Sequence, residues 1–408
     1  MSPAGRPPAL AVLRHRPFAR YLVGRAAATL GWQLFGVAVA WQVYGLTHDP
    51  LALGIVGLCE FLPFAALVMV GGHVADHADR RRVLALAYLA EVGCAAVLGW
   101  LIYAGLRSVW PIYAAIGVFG VTRAFWSPAL QSILPRLLPR EEFADAVALN
   151  SLVYQVSVIG GPALGGVLLL LGVPFVYGVC LAFFALTAVV AIGLKFTSEA
   201  PAPSAAPAAG AFLEGVRFVL RSPVLLGLMS LDLFAVLFGG AEALLPVFAS
   251  DILHCGPVGY GMLRAAPGAG AALAGAALAL WPIRNHAGSW MFGGVALFGI
   301  SIIVFGLSGN LPLSLAALLL GGCGDMISVF IRATLIPLYT PDAIRGRVSA
   351  VSSMFIGASN ELGGFESGLT ARWFGVVPSV VIGGAITLAV VGIWAAVFPP
   401  LRQLKGLR

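Results

Sequence analysis

Residues 174–195 read PFVYGVCLAFFALTAVVAIGLK, and residues 376–400 read VVPSVVIGGAITLAVVGIWAAVFPP. The first stretch carries no charge before Lys195, and the second carries none at all. About 20 consecutive apolar residues wound as a helix cross the hydrocarbon of a bilayer. Strands of a membrane barrel would alternate polar and apolar positions over about 10 residues, and these runs do not alternate. Each is therefore read as one membrane-spanning helix.

The rest of the chain follows the same pattern. Of 408 residues, 60% are hydrophobic and 10% charged, with a mean hydropathy of +0.96. A soluble domain needs about 25% charged residues to cover its surface, so a soluble globular protein is excluded. Twelve spans are expected, at 18–46, 51–75, 83–106, 109–135, 144–171, 174–195, 223–251, 256–282, 287–308, 311–339, 348–374 and 376–400. The net charge of +7 does not mark a nucleic-acid partner, because the basic residues sit at the ends of apolar runs. With both termini cytoplasmic, 18 of the 24 lysines and arginines fall in inner segments, and only Arg107 and Arg372 in outer loops. That split follows the positive-inside rule. The five cysteines are scattered singly and read as small apolar residues, with neither a disulfide nor a metal site expected. The basic N-terminus is not read as a cleavable signal.

The only long loop divides the chain into residues 1–197, 198–221 and 222–408. These are read as a six-helix bundle, a cytoplasmic linker and a second six-helix bundle. The linker begins as a flexible Ala/Pro segment, Ser198–Gly210. It ends in Ala211–Leu220, where Phe212, Val216, Phe218 and Val219 stand among charges as in an interfacial helix. The halves repeat: Pro135 and Pro139 recur as Pro337 and Pro341, at an offset of 202 residues. A repeated bundle with a binding site between the copies is a transporter plan.

Three motifs sharpen that plan. Between spans 2 and 3 the chain reads Gly72-His73-Val74-Ala75-Asp76-His77-Ala78-Asp79-Arg80-Arg81-Arg82. Gly72 permits close helix approach, and an acid beside arginines can lock two helices at the membrane surface. Span 5 holds Gly160-Gly161-Pro162-Ala163-Leu164-Gly165-Gly166, where a proline removes a backbone donor and glycines allow tight contact. Ser127-Pro128-Ala129, Pro139-Arg140-Glu141-Glu142 and Arg345-Gly346-Arg347-Val348 complete the set.

Gly72, Asp76, Arg80 and Arg81 match the signature loop of the major facilitator superfamily, with His77 replacing its arginine and Asp79 its glycine. Gly161, Pro162, Gly165 and Gly166 are similar to the span 5 motif of its antiporters. Together the motifs resemble the multidrug and siderophore exporter branch of the drug/proton antiporters. The resemblance implies a twelve-helix all-α fold, a central cavity lined by spans 1, 4, 7 and 10, and export by alternating access. The protein is expected to act as a monomer in the inner membrane on a small-molecule substrate, with no cofactor and a proton gradient as its energy source.

Charges inside a bilayer cost about 2.5–3.5 kcal/mol each on insertion scales, so the buried ionisable residues are the functional candidates. Asp325, Asp232, Glu361 and Glu60 are the expected proton carriers, Asp325 first among them. Arg25, Trp32, Gln33, Arg123, Ser127, Tyr154, Phe234 and Arg332 are the expected substrate-cavity residues. The competing reading is that the charges form static pairs, Asp325 with Arg332 for instance. A lipid flippase of the same fold and a non-transporting scaffold are the alternative functions. No Walker loop or catalytic constellation is present, so an enzyme is not expected.

Overall fold

In the computed structural model of the protein, residues 9–131, 133–194 and 208–404 are described, and they contain helices but no strand. The spacing of charges and prolines explains where each helix begins. Helix α1 covers Arg16–Thr47, α2 Pro50–His77, α3 Arg80–Tyr103, α4 Trp110–Gln131, α5 Phe143–Leu168 and α6 Val173–Gly193. After the linker come α7 Ala208–Arg221, α8 Pro223–Gly239, α9 Gly256–Leu280, α10 Ala287–Leu307, α11 Leu311–Leu338, α12 Arg345–Phe374 and α13 Val376–Val397. Several open on a proline at the first or second position, where a missing N–H costs nothing. Ser222 and Asn310 cap α8 and α11 by accepting from Leu225 N–H and Leu313 N–H.

Among the described residues, ten helices are long and apolar enough to cross a membrane. Helices α4 and α12 are not among them. The first carries Arg123, Ser127 and Gln131, and the second Ser352, Ser353, Asn360, Glu361 and Glu366. Polar residues dilute their hydropathy without shortening them.

The 202-residue repeat is visible in the backbone. Three-residue 3-10 turns at Arg140–Glu142 and Asp342–Ile344 open α5 at Phe143 and α12 at Arg345. Gly172 and Gly375, 203 residues apart and with φ of 95° and 91°, precede α6 and α13 as their caps. Only glycine adopts that backbone without strain.

Two sequence expectations about continuity are corrected. The stretch from Gly72 to Arg82 is not a loop: α2 runs through Gly72 to His77, and Asp79 caps α3 by accepting from Arg81 N–H at 3.0 Å. Span 7 is not one helix. It breaks after Gly239 and continues as short turns and a π-helix at Phe248–Ile252. Ser367 Oγ donates to the Gly240 carbonyl at the break, at 2.7 Å.

Contacts group the chain into two units, Met1–Val39 with Leu62–Ser204, and Ala40–Phe61 with Ala205–Arg408. In the first, α3 packs on α4 and α6, over an aromatic core. Phe35 and Phe119 stack at 4.1 Å and Phe184 meets both edge-on. Phe35 is thus part of the core. In the second, α11 packs on α9 and α10, and α8 on α12 and α13. Residues 40–61 belong to this unit through specific contacts. Tyr44 donates to Asp251, Arg372 donates to Asp49 at 3.3 Å, and Gly57 lies against the Glu361 carbonyl. Of the Ala/Pro segment Ser198–Gly210, residues 198–207 lie outside the described residues, and Ala208–Gly210, expected as flexible linker, instead form the first turn of α7.

The linker helix α7 corrects a further expectation. Phe212, Val216, Phe218 and Val219 do not face lipid. They pack into the apolar cluster of Leu225, Val348, Val351 and Leu401.

Candidate functional site

The second unit holds the most unusual electrostatic arrangement. Asp232 stands on α8 and Arg332 on α11, 5% and 6% exposed. Arg332 Nη1 donates to Asp232 Oδ2 in a buried ion pair. Asp325, two turns before Arg332 on α11, lies within electrostatic reach of both. Two carboxylates therefore share the field of one guanidinium, and one of them, Asp232, is in contact with it. The pair that forms joins α8 to α11, whereas the static reading had paired Asp325 with Arg332 along one helix. Ser328 Oγ and Arg332 Nε are buried with no hydrogen-bond partner among the described residues. Polar atoms left so are costly, and they face the same stripe of α11.

A second cluster joins residues that the sequence places far apart. Arg264 of α9 lies 3.6 Å from Glu242, which sits in the turn just beyond the α8 break. Tyr260, one turn earlier on α9, and Glu361 of α12 are its other electrostatic neighbours. Trp41 stacks on the Tyr260 ring at 5.7 Å. The signal was the four-residue spacing of Tyr260 and Arg264, which places them on one helical face. Glu361 thus joins a different cluster from Asp232 and Asp325, and Glu60 is half-buried on α2. Phe234 packs on Trp394 at 5.3 Å, whose indole N–H donates to Ser230 at 2.9 Å.

In the first unit two arginines of the spans lie over aromatic rings. The Arg25 guanidinium lies 4.8 Å from the centre of the Tyr154 ring, and Arg25 Nε is buried without a partner among the described residues. Arg123 lies 4.9 Å from the Phe64 ring and 5.9 Å from that of Trp32. Such cation–π contacts suit a guanidinium on an aromatic face. Ser127 follows one turn after Arg123, half-buried. Thr29 is turned back on its own helix, donating to the Arg25 carbonyl at 2.9 Å. Glu91 accepts from Thr122 at 2.8 Å, tying α3 to α4.

The span 5 motif has a clear structural use. Pro162 lacks the N–H that would serve the Val158 carbonyl, and Gln33 Nε2 of α1 donates to that carbonyl at 3.2 Å. Gly161 and Gly165 lie against Gln33, Leu34 and Val37. Gly161, Pro162, Gly165 and Gly166 are all buried. Gln33 and the motif, expected at two different sites, meet at one.

The gating motif is rearranged. Gly72 has open space beside it, and its neighbour Gly71 makes the close approach, against the Ala124 carbonyl. That carbonyl is the one left without an N–H by Pro128. Arg80, the first residue of α3, is buried, Arg81 follows it in the first turn, and the Asp76 side chain lies outside the described residues. Outside the spans, Arg14 donates to Glu142 at 2.6 Å and His15 lies 2.8 Å away. The Arg14 hydrogen bond, helped by His15, holds the Glu142 carboxyl below the usual carboxylate range.

A family model described as "Transmembrane secretion effector" matches residues 8–406. The enterobactin exporter EntS of Citrobacter koseri is 30% identical over 346 residues, 83% of this chain and 81% of that protein. The enterobactin exporter EntS of Shigella dysenteriae is 28% identical over 347 residues, with the same coverage. Among solved structures, the nucleoside transporter NupG aligns with a TM-score of 0.73 at 13% identity, over 94% of this chain and 99% of its own. The human organic anion transporter MFSD10 aligns at 0.63 and 19%, over 95% and 100%. At these identities the structural likeness shows the fold alone.

Proposed function

The chain belongs to the transmembrane secretion effector family of major facilitator transporters, and from that premise we propose that it exports a siderophore-like small molecule in exchange for protons. It is a multi-pass membrane transporter of the exporter type and not an enzyme. The proposal adds twelve spans in two six-helix bundles, both termini on the cytoplasmic side of the inner membrane, and a monomeric unit working by alternating access. The relatives named for enterobactin export support a substrate of that size and kind. Arg25 with Tyr154, and Arg123 with Phe64 and Trp32, supply the cationic and aromatic contacts such a molecule would use.

The observation that carries the coupling is the imbalance around Arg332. One guanidinium neutralises one buried carboxylate at a time, and an unpaired buried charge is expensive. When Asp232 holds Arg332, Asp325 is the acid that gains from taking a proton. When Asp325 is ionised it competes for the same arginine. Proton uptake and release can thus alternate with the pairing of α8 and α11. Asp325 and Asp232 are the proposed coupling pair; Glu361, near Arg264, and Glu60 take a secondary place.

Purified protein in proteoliposomes tests the proposal. An imposed pH gradient should drive accumulation of enterobactin, and a protonophore should abolish it. Accumulation that ignores both gradient and protonophore would remove proton coupling from the account.

A further inference from the structure

Helix α7 has a second face that neither the apolar core nor transport employs. Its inner face is fixed: Phe212, Val216 and Val219 enter the cluster around Leu225 and Val351, and Gly215 lies against the Arg347 carbonyl. Its one acid, Glu214, is engaged by the Arg347 guanidinium. What remains outward is a single stripe of Leu213, Arg217, Leu220 and Arg221, spaced as neighbours on a helix. All four are exposed, and the two leucines are 63% and 61% bare. With Glu214 held by Arg347, Arg217 and Arg221 form no ion pair among the described residues, and the stripe carries two positive charges.

Its position is set by the chain itself. Only Ser222, the cap of α8, separates Arg221 from Pro223, where the membrane-spanning segment Pro223–Ile252 begins. The stripe therefore lies at the level where acyl chains meet headgroups. Bare leucines there gain from burial in the interface, and guanidinium groups pair with phosphate oxygens as planar forks. Water alone would favour neither leucine, and a neutral headgroup would leave both arginines without a counter-charge.

We propose that the outward face of α7 is a binding surface for anionic phospholipid headgroups. Arg217 and Arg221 hold the phosphate, and Leu213 and Leu220 seat the helix among the upper acyl carbons. The inference stands on membrane placement and does not depend on the exported substrate or on protons.

The test uses the full-length protein in detergent micelles, titrated with phosphatidylglycerol or phosphatidylcholine, with retained lipid counted by native mass spectrometry. An arginine near an anionic surface is worth about fivefold in affinity. Arg217→Gln with Arg221→Gln should lower phosphatidylglycerol retention by about twenty-fivefold and leave phosphatidylcholine unchanged. The paired Arg→Lys variant should keep most of the binding, and millimolar inorganic phosphate should not compete. Both positions are exposed, so an unaltered melting curve is expected and separates lost binding from lost folding. Equal retention of phosphatidylglycerol by wild type and the glutamine pair would overturn the proposal, as would equal binding of both lipids by wild type.

Discussion

The Gln33 amide reaches 3.2 Å across to the Val158 carbonyl, the backbone acceptor that Pro162 leaves without its helical donor. A residue that reads as a cavity-facing polar group is a backbone surrogate for α5. Removing it strands a buried carbonyl, at a cost of about 1–3 kcal/mol. Gln33→Leu should therefore lower the melting temperature of the purified protein. Adding Pro162→Ala restores the missing N–H and should recover much of the loss, an interaction that a thermal-unfolding double-mutant cycle measures. Additive losses would separate the two residues.

The Asp232–Arg332 pair predicts a different cycle. Each partner alone would leave a buried, uncompensated charge, typically worth 3–5 kcal/mol. Asp232→Asn and Arg332→Gln should each destabilise strongly, and the double variant should be less destabilised than the sum. Asp325 should soften the Asp232→Asn loss by taking up the arginine, so Asp232→Asn with Asp325→Asn should be worse than Asp232→Asn alone.

Glycine positions on α2 distinguish neighbours that the sequence does not. A Cβ at Gly71 would collide with the Ala124 carbonyl, whereas one at Gly72 meets open space. Gly71→Ala should broaden the size-exclusion peak or lower the melting temperature by several degrees. Gly72→Ala should leave both unchanged within error.

Outside the membrane, Glu142 supplies a pH signature. Its carboxyl is held below the ordinary range by Arg14 and His15, so the folded state releases its proton more readily than the unfolded chain. The stabilisation is full above the unfolded value, near pH 4.3, and fades as pH falls through the lower folded value. Melting temperatures measured from pH 6 to pH 3 should fall less steeply in Glu142→Gln than in wild type.

Much of this was legible in the sequence, for physical reasons. Hydropathy marks spans because lipid forbids unpaired backbone, and the 202-residue offset survives as matching 3-10 turns at Arg140 and Asp342. The helix-breaking Gly239–Gly240 pair was present in the sequence, but apolar flanks hid the interruption. Side-chain pairing was not legible. Arg332 could be placed on a stripe with Asp325, yet its partner Asp232 stands 100 residues away, at a distance no local spacing reports. The same holds for Gln33 and Val158, and for Arg264 and Glu242. The amphipathic pattern of α7 suggests an interfacial helix, but periodicity cannot say whether an apolar face meets lipid or protein, and here Phe212, Val216, Phe218 and Val219 meet protein.

The central claim is that a proton on Asp325 alternates with the pairing at Arg332, and one measurement addresses it most directly. Asp325→Asn fixes that position in its protonated form. In proteoliposomes loaded with enterobactin, the variant should exchange labelled for unlabelled substrate at a rate near that of wild type. It should fail to concentrate substrate when a pH gradient is imposed. Accumulation by Asp325→Asn at the wild-type rate and to the wild-type level would contradict the account.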